Sequence, residues 1–319
     1  MRSDSLFNYA AKENSAAVAK ELFLYSLRGS NNRYKRYCKS PLRYPGGKSL
    51  AVGLIVEQLP NDVKQVVSPF FGGGSVEIAI AKELNIPVIG YDIFDILVNF
   101  WRQALCNNTA LYEALSALEP TRENYNAVKK ELTRHWEKET ALEPLTLARD
   151  YYFNFNLSYG PGFLGWMSKI YQDADRYTAM LNKLRSLNVN NVSVECASFE
   201  TILPNHRDDF LYLDPPYYLG GDSKMFRGVY PQRNFPIHHN GFDHIALSEA
   251  LRSHKGGFIL SYNDCAFVRD TYKEYKILEP SWQYTMGQGE IRIGKNRIER
   301  GDDDNIKTSH ELLIIGERR

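Results

Sequence analysis

Short apolar runs alternate along this chain with stretches whose apolar residues recur at helical spacing. Residues 63–67 read as a strand, a glycine-rich turn follows, and 76–83 read as a helix. A second short run, 87–91, ends on Asp92. From 107 to about 187 the period changes. Leu111, Ala114, Leu115 and Leu118 recur at helical spacing, and Tyr125, Val128, Leu132 and Trp136 repeat the pattern, with Pro120 and Pro144 as punctuation. Strand patterns return at Val192–Cys196, Phe210–Leu213, 257–262 and Glu311–Gly316. A helical block between two sets of strand signals predicts an α/β sheet that carries a helical insertion. Upstream, 15–27 read as a helix followed by a polar, Asn-rich connector, so 1–37 stand outside the repeating pattern as an N-terminal extension.

Composition narrows the class. A chain of 319 residues with 43% hydrophobic and 13% aromatic content can bury a large core, and its length allows one elaborated domain or two. It has no uninterrupted apolar stretch long enough to span a bilayer, and residues 1–10 lack the basic-then-apolar plan of a signal peptide, which predicts a cytoplasmic protein with no membrane partner. Cys38, Cys106, Cys196 and Cys265 lie far apart, which indicates neither a zinc site nor a disulfide framework. His238, His239 and His244 have no metal-ligand spacing and read as solvated loop residues, so no metal is expected.

The net charge of +1 hides an uneven distribution. Between Arg28 and Lys48 there are seven basic residues and no acidic one, interleaved with Tyr34, Tyr37 and Tyr44. Such a segment suits phosphate neutralisation, or else a solvated linker. A second basic patch, Arg292, Lys295, Arg297 and Arg300, reads as a loop or hairpin near nucleic acid.

The chemistry concentrates where the run Phe210–Leu213 ends on Asp214-Pro215-Pro216-Tyr217. An exocyclic amine on a nucleobase is a poor nucleophile because its lone pair is delocalised into the ring. Asp214 can accept one of its N–H groups and the Pro215 carbonyl the other, while the ring of Tyr217 can stack on an extruded base. The alternative is a surface turn, for which Asp-Pro is ordinary vocabulary. Upstream, Ser68-Pro69-Phe70-Phe71-Gly72-Gly73-Gly74-Ser75 joins a predicted strand to a predicted helix, and such a turn lets a cofactor approach the backbone. It has neither the glycine spacing of dinucleotide sites nor a P-loop lysine. Asp92, about twenty residues on at a second strand end, suits a ribose diol, or is an ordinary exposed aspartate.

With these motifs in order, the chain resembles the Dam-like N6-adenine DNA methyltransferases that use S-adenosylmethionine. Pro41-Leu42-Arg43-Tyr44-Pro45-Gly46-Gly47-Lys48 resembles the N-terminal cofactor motif of that family. The turn at 69–74, Asp92 with Leu97-Val98-Asn99, Asp214–Tyr217, 242–247, 258–263 and 311–314 resemble its later motifs. The resemblance covers roughly 41–105 and 190–316. It implies a Rossmann-like methyltransferase sheet over 38–106 and 188–319, with 107–187 as a helical target-recognition domain. It also implies a donor site at Tyr44, Lys48, Pro69, Phe70, Gly72, Gly73, Gly74, Ser75, Asp92, Ser198 and Phe199, and catalysis at Asp214, Pro215, Pro216 and Tyr217.

The expected activity is methyl transfer from S-adenosylmethionine to N6 of a flipped adenine in duplex DNA. Transfer to cytosine N4, or a catalytically weak DNA-binding or regulatory subunit of the same fold, are the alternatives. A cognate restriction endonuclease of the same system is a conceivable companion, with no stable protein partner implied. Two positions depart from the family, which usually carries acidic residues where Ser68 and Ser198 stand and uses them to help hold the donor. In the insertion, Asn154 and Asn156 have the side chain to read an adenine edge, or are polar core residues. The loop 219–240, rich in Gly, Asp, Arg and Pro, is long enough to close over an extruded base.

Overall fold

The computed structural model describes residues 16–29, 34–160, 162–220, 241–280 and 311–319. Seven strands form one sheet in the order β3-β2-β1-β4-β5-β7-β6. They are β1 (Val66–Ser68), β2 (Val88–Asp92), β3 (Val192–Cys196), β4 (Phe210–Leu213), β5 (Phe258–Asn263), β6 (Lys276–Leu278) and β7 (Glu311–Gly316). The first five are parallel, and β7 runs antiparallel between β5 and β6. This is the α/β architecture expected of a methyltransferase sheet. The central strands β1, β4 and β5 are buried at every position, as parallel strands covered on both faces must be. Strand order reverses direction between β1 and β4, and such a switch point opens a crevice at the carboxyl ends of the strands.

Two strand boundaries differ from the reading of the sequence. β1 begins at Val66 because its partner β2 starts only after Pro87, which has no N–H to extend the ladder; the Val66 N–H closes on the Pro87 carbonyl at 2.9 Å. β5 begins at Phe258 because Gly257 turns through a left-handed φ of 80°. β6, three residues long at the sheet edge, has too little periodicity to announce itself.

Residues 16–27 form helix α1, and α2 (Val52–Gln58) follows. Between β1 and β2 lies α3 (Ser75–Glu83), and after β2 comes α4 (Asp95–Cys106). The insertion then contributes α5 (Asn108–Ser116), α6 (Arg122–Trp136), α7 (Pro144–Leu157) and α8 (Ala174–Arg185). α6 starts where the Thr121 side chain accepts the Asn124 N–H, and it buries Tyr125, Val128 and Leu132 on one stripe. α7 starts with Pro144, whose missing N–H costs nothing at a helix entry, and is buried continuously from Asp150 to Leu157. Its Tyr152 ring stacks on Phe100 of α4 at 5.6 Å, so helices of the insertion and the sheet share one hydrophobic core. Short α9 (Phe199–Ile202), then α10 (His244–Ser253) and α11 (Ala266–Thr271), pack on the opposite face of the sheet. No described helix is long and apolar enough to cross a membrane.

Candidate active site

A cavity of about 300 Å³ lies at the carboxyl ends of β1, β2 and β4. Every residue singled out above for the donor site, from Tyr44 to Phe199, lines it, as do Asp214, Pro215, Pro216 and Tyr217. Tyr44 and Tyr217, 173 positions apart in sequence, thus meet at one place: the segments after β1, β2, β3 and β4 leave parallel strands whose carboxyl ends point the same way, and residues 44–48, which precede β1, close against them.

The turn after β1 is held open by its glycines. Gly72 and Gly74 have φ of 47° and 63°, which residues with a Cβ rarely adopt. A Cβ on Gly73 would lie 2.4 Å from the Cβ of Tyr44, which leans over the turn and stacks on Phe155 of α7. Three side chains fix the backbone of the turn. Trp101 Nε1 donates to the Gly72 carbonyl at 2.9 Å, Ser40 Oγ to the Gly73 carbonyl at 2.5 Å, and the Gly72 N–H to Asp92 Oδ2 at 3.0 Å. Asp92 also accepts the Phe94 N–H at 3.0 Å through Oδ1, so its carboxylate has a fixed orientation. Beside this end, the rings of Phe70, Phe199 and Phe242 pack with centroids 5.4–5.8 Å apart, an aromatic wall suited to a flat heterocycle.

At the other end, Lys48 Nζ donates to both oxygens of Asp214, at 2.7 and 2.8 Å, and to the Gly46 carbonyl at 3.0 Å. The lysine side chain is almost fully buried, whereas that of Asp214 keeps 23% of its surface exposed. Burial pushes the Asp214 carboxyl above the usual carboxylate range, and Lys48 opposes that rise. Lys48 Nζ also lies 5.0 Å from the centre of the Tyr217 ring. That ring is buried, stacks on Tyr262, and sends its hydroxyl to Glu311 Oε1 at 2.5 Å. Tyr217 therefore braces the site through β5 and β7 as well as lining it.

Glu77 escaped the reading of the sequence. On α3, buried and lining the cavity, it accepts the Ser68 hydroxyl at 2.7 Å, and burial pushes its carboxyl up to about 8. Its signal was an acidic residue in the otherwise apolar run Val76–Ala81, masked because acidic residues are ordinary in the first turn of a helix.

For Asn154 and Asn156 the structure decides between the two readings left open by the sequence: both are fully buried and point into the protein, Asn154 Oδ1 accepting the Leu164 N–H at 2.7 Å and Asn156 Oδ1 the Arg43 N–H at 2.9 Å. Asn156 Nδ2 donates to the Pro41 carbonyl at 3.3 Å, so both are core polar residues and not base readers. Within the basic segment, Lys48 is committed to Asp214, and the Arg43 guanidinium to the carbonyls of Asn156 (2.6 Å) and Ser158 (3.3 Å) and the Tyr171 ring (4.5 Å). Lys35, Arg36 and Lys39 remain on the surface. His244 opens α10 half-buried and bonds Tyr262, where burial lowers its ring below the usual histidine range. Arg33, His238, His239, nearly all of the loop 219–240 and the patch at 292–300 lie outside the described residues.

Fold and site together define the architecture of an S-adenosylmethionine-dependent methyltransferase: a glycine turn after β1, an acidic residue closing β2 and Asp-Pro-Pro-Tyr after β4. A family model for the D12 class N6 adenine-specific DNA methyltransferases matches residues 44–286, and the chain belongs to that family. It is also similar to the Type II methyltransferase M.FokI of Planomicrobium okeanokoites, with 25% identity over 202 residues, 57% of this chain and 29% of that protein. The chain thus corresponds to less than a third of the length of that relative.

Proposed function

We propose that this chain methylates N6 of an adenine turned out of duplex DNA, with S-adenosylmethionine as donor. The observation that carries the reading is a Lys48-held Asp214 carboxylate in the same cavity as the glycine turn and Asp92. The residues present fit the donor. Asp92 offers oriented acceptors for a diol, and the Phe70, Phe199 and Phe242 rings offer a face for the adenine moiety. Tyr44, Lys48, Pro69, Ser75 and Ser198 complete the lining of this site.

When bound, the donor supplies a methyl group made electrophilic by its sulfonium. The chain's residues then act on the nucleophile. Each oxygen of Asp214 has two lone pairs, so a carboxylate that receives Lys48 can still accept an N6–H. The Pro215 carbonyl accepts the other N6–H, which favours a pyramidal nitrogen with its lone pair aimed at the methyl. As the N–C bond forms and the C–S bonding pair returns to sulfur, the new N6 cation sheds a proton toward Asp214. Burial raises the affinity of this carboxylate for a proton and suits it to that role. Positioning and electrostatics supply the rate enhancement, and no covalent enzyme intermediate is needed. In this reading 107–187 form the target-recognition region, and the exposed Lys35 and Lys39 are available to phosphates.

The test is transfer of labelled methyl from S-adenosylmethionine to duplex DNA, followed by nucleoside analysis. N6-methyladenine supports the proposal; N4-methylcytosine, or donor binding without transfer, overturns it.

A further inference from the structure

Six acidic side chains or basic partners line the cavity, and all but one of those within it have an evident commitment. Lys48 and Asp214 neutralise each other, and Asp92 is oriented by two backbone N–H groups. Glu200 and Asp243 lie at its rim, on α9 and at the N-cap of α10. Glu77 differs. It is 3% exposed, it makes no ion pair among the described residues, and its side-chain partner is the uncharged hydroxyl of Ser68. A carboxylate without a counter-ion in such surroundings is costly, which is why its proton is held to about 8. Of the charged groups that face it, Asp214 disfavours ionisation and Lys48 favours it, each less strongly than burial acts.

We infer that Glu77, oriented by the Ser68 hydroxyl, is the anionic group that receives the α-ammonium of the donor's methionyl end. This rests on the donor reading above and adds the residue that recognises that end. The placement follows the cavity: Asp92 is tied to the Gly72 N–H of the glycine turn, whereas Glu77, on the first turn of the helix that the glycines introduce, is tied to Ser68 at the end of β1 and lies within electrostatic reach of Lys48 and Asp214. A cationic ligand completes an ion pair that the protein alone leaves unmade. Binding near neutral pH then ionises Glu77 and expels its proton to solvent, and affinity rises with pH until Glu77 is already ionised in the free protein.

The experiment is titration calorimetry of the full chain with S-adenosylhomocysteine, which retains the α-ammonium, and with 5′-methylthioadenosine, which lacks the whole amino-acid end. For Glu77→Gln, S-adenosylhomocysteine should bind ~10- to 100-fold more weakly, the range of one charge-assisted hydrogen bond, with methylthioadenosine unchanged. Independently of any variant, wild-type titrations at pH 7 in phosphate and in Tris should differ in heat by the release of ~1 proton with S-adenosylhomocysteine and of none with methylthioadenosine. Equal losses for both ligands, an unchanged S-adenosylhomocysteine affinity, or no proton release by wild type overturns the Glu77 assignment alone. Failure of wild type to bind either ligand overturns the donor reading and this assignment with it.

Discussion

Lys48 and Asp214, 166 positions apart in the chain, meet as a buried ion pair with both carboxylate oxygens within 2.8 Å of one ammonium. The lysine arrives from the segment before α2 and the aspartate from the end of β4, so the pair joins the two sides of the cavity. The residue proposed to orient the target amine therefore also neutralises a buried cation, and its removal has two separable effects.

Asp214→Ala should lower methyl transfer by at least ~100-fold, the loss expected of a group acting mainly at the transition state. It should also destabilise the fold by about 3–5 kcal/mol, because it strands Lys48 without its counter-charge. The double variant Asp214→Ala/Lys48→Met removes both charges; urea titration should find most of the stability restored while transfer stays absent. Recovery of activity in the double variant would refute the role of Asp214.

Lys48 holds down a carboxyl that burial raises. Transfer requires ionised Asp214, so activity falls as pH drops through its pKa. Lys48→Met removes the opposing influence, and the acid limb of kcat, measured with both substrates saturating, should move to higher pH. A limb that stays in place would assign it to another group.

Asp92→Ala should weaken donor binding by about 1.5–3 kcal/mol, as for loss of a charge-assisted hydrogen bond. Because Asp92 also receives the Gly72 and Phe94 N–H groups, part of the loss should come from a loosened turn. Asp92→Asn, which keeps an acceptor, should lose less. Calorimetry that finds equal affinity in wild type and Asp92→Ala would make Asp92 a structural residue alone.

Asn156→Ala should cost stability, about 1–3 kcal/mol for each buried partner left unsatisfied, since both the Arg43 N–H and the Pro41 carbonyl depend on it. Preference among DNA sequences should not change, because the side chain faces the core. A changed preference at unchanged stability would return Asn156 to base reading.

Lys35→Ala/Lys39→Ala should weaken binding to all duplexes alike and flatten the slope of log K against log salt by up to ~2, since each phosphate contact releases about 0.9 counterion. Arg43→Ala should act mainly through stability, its guanidinium being spent on carbonyls within the protein. A salt slope unaffected by the double variant would remove this segment from the DNA surface.

Much of this was legible in the chain because local pattern and tertiary demand coincide. The buried run Phe210–Leu213, the valines of β1 and the glycines after them each serve the element that their own sequence announces. What stayed hidden depends on contacts with distant residues. Glu77 reads as a helix-entry charge until the Ser68 hydroxyl and the cavity are seen beside it. Asn154 and Asn156 offer base-reading chemistry on paper, yet the continuous burial of α7 turns both inward. Arg43 and Lys48 sit in a basic run that composition alone assigns to phosphate, and only the fold shows which cations already have partners. The missing carboxylate at position 68 looked like a weakness of the donor site; the fold brings a carboxylate to that hydroxyl from nine residues onward.

The link from α7 to the segment before Lys48 has a practical consequence for engineering. Arg43 and Pro41 form four hydrogen bonds with Asn156 and Ser158 at the end of α7. A chimera that exchanged the helical insertion alone between relatives would leave a half-buried guanidinium facing foreign carbonyls, and would jolt the strand of chain that delivers Lys48 to Asp214. The transplantable unit is discontinuous: it comprises the helices together with Pro41-Leu42-Arg43, and swaps cut at the borders of the helical insertion should yield poorly folded hybrids until those three residues travel with it.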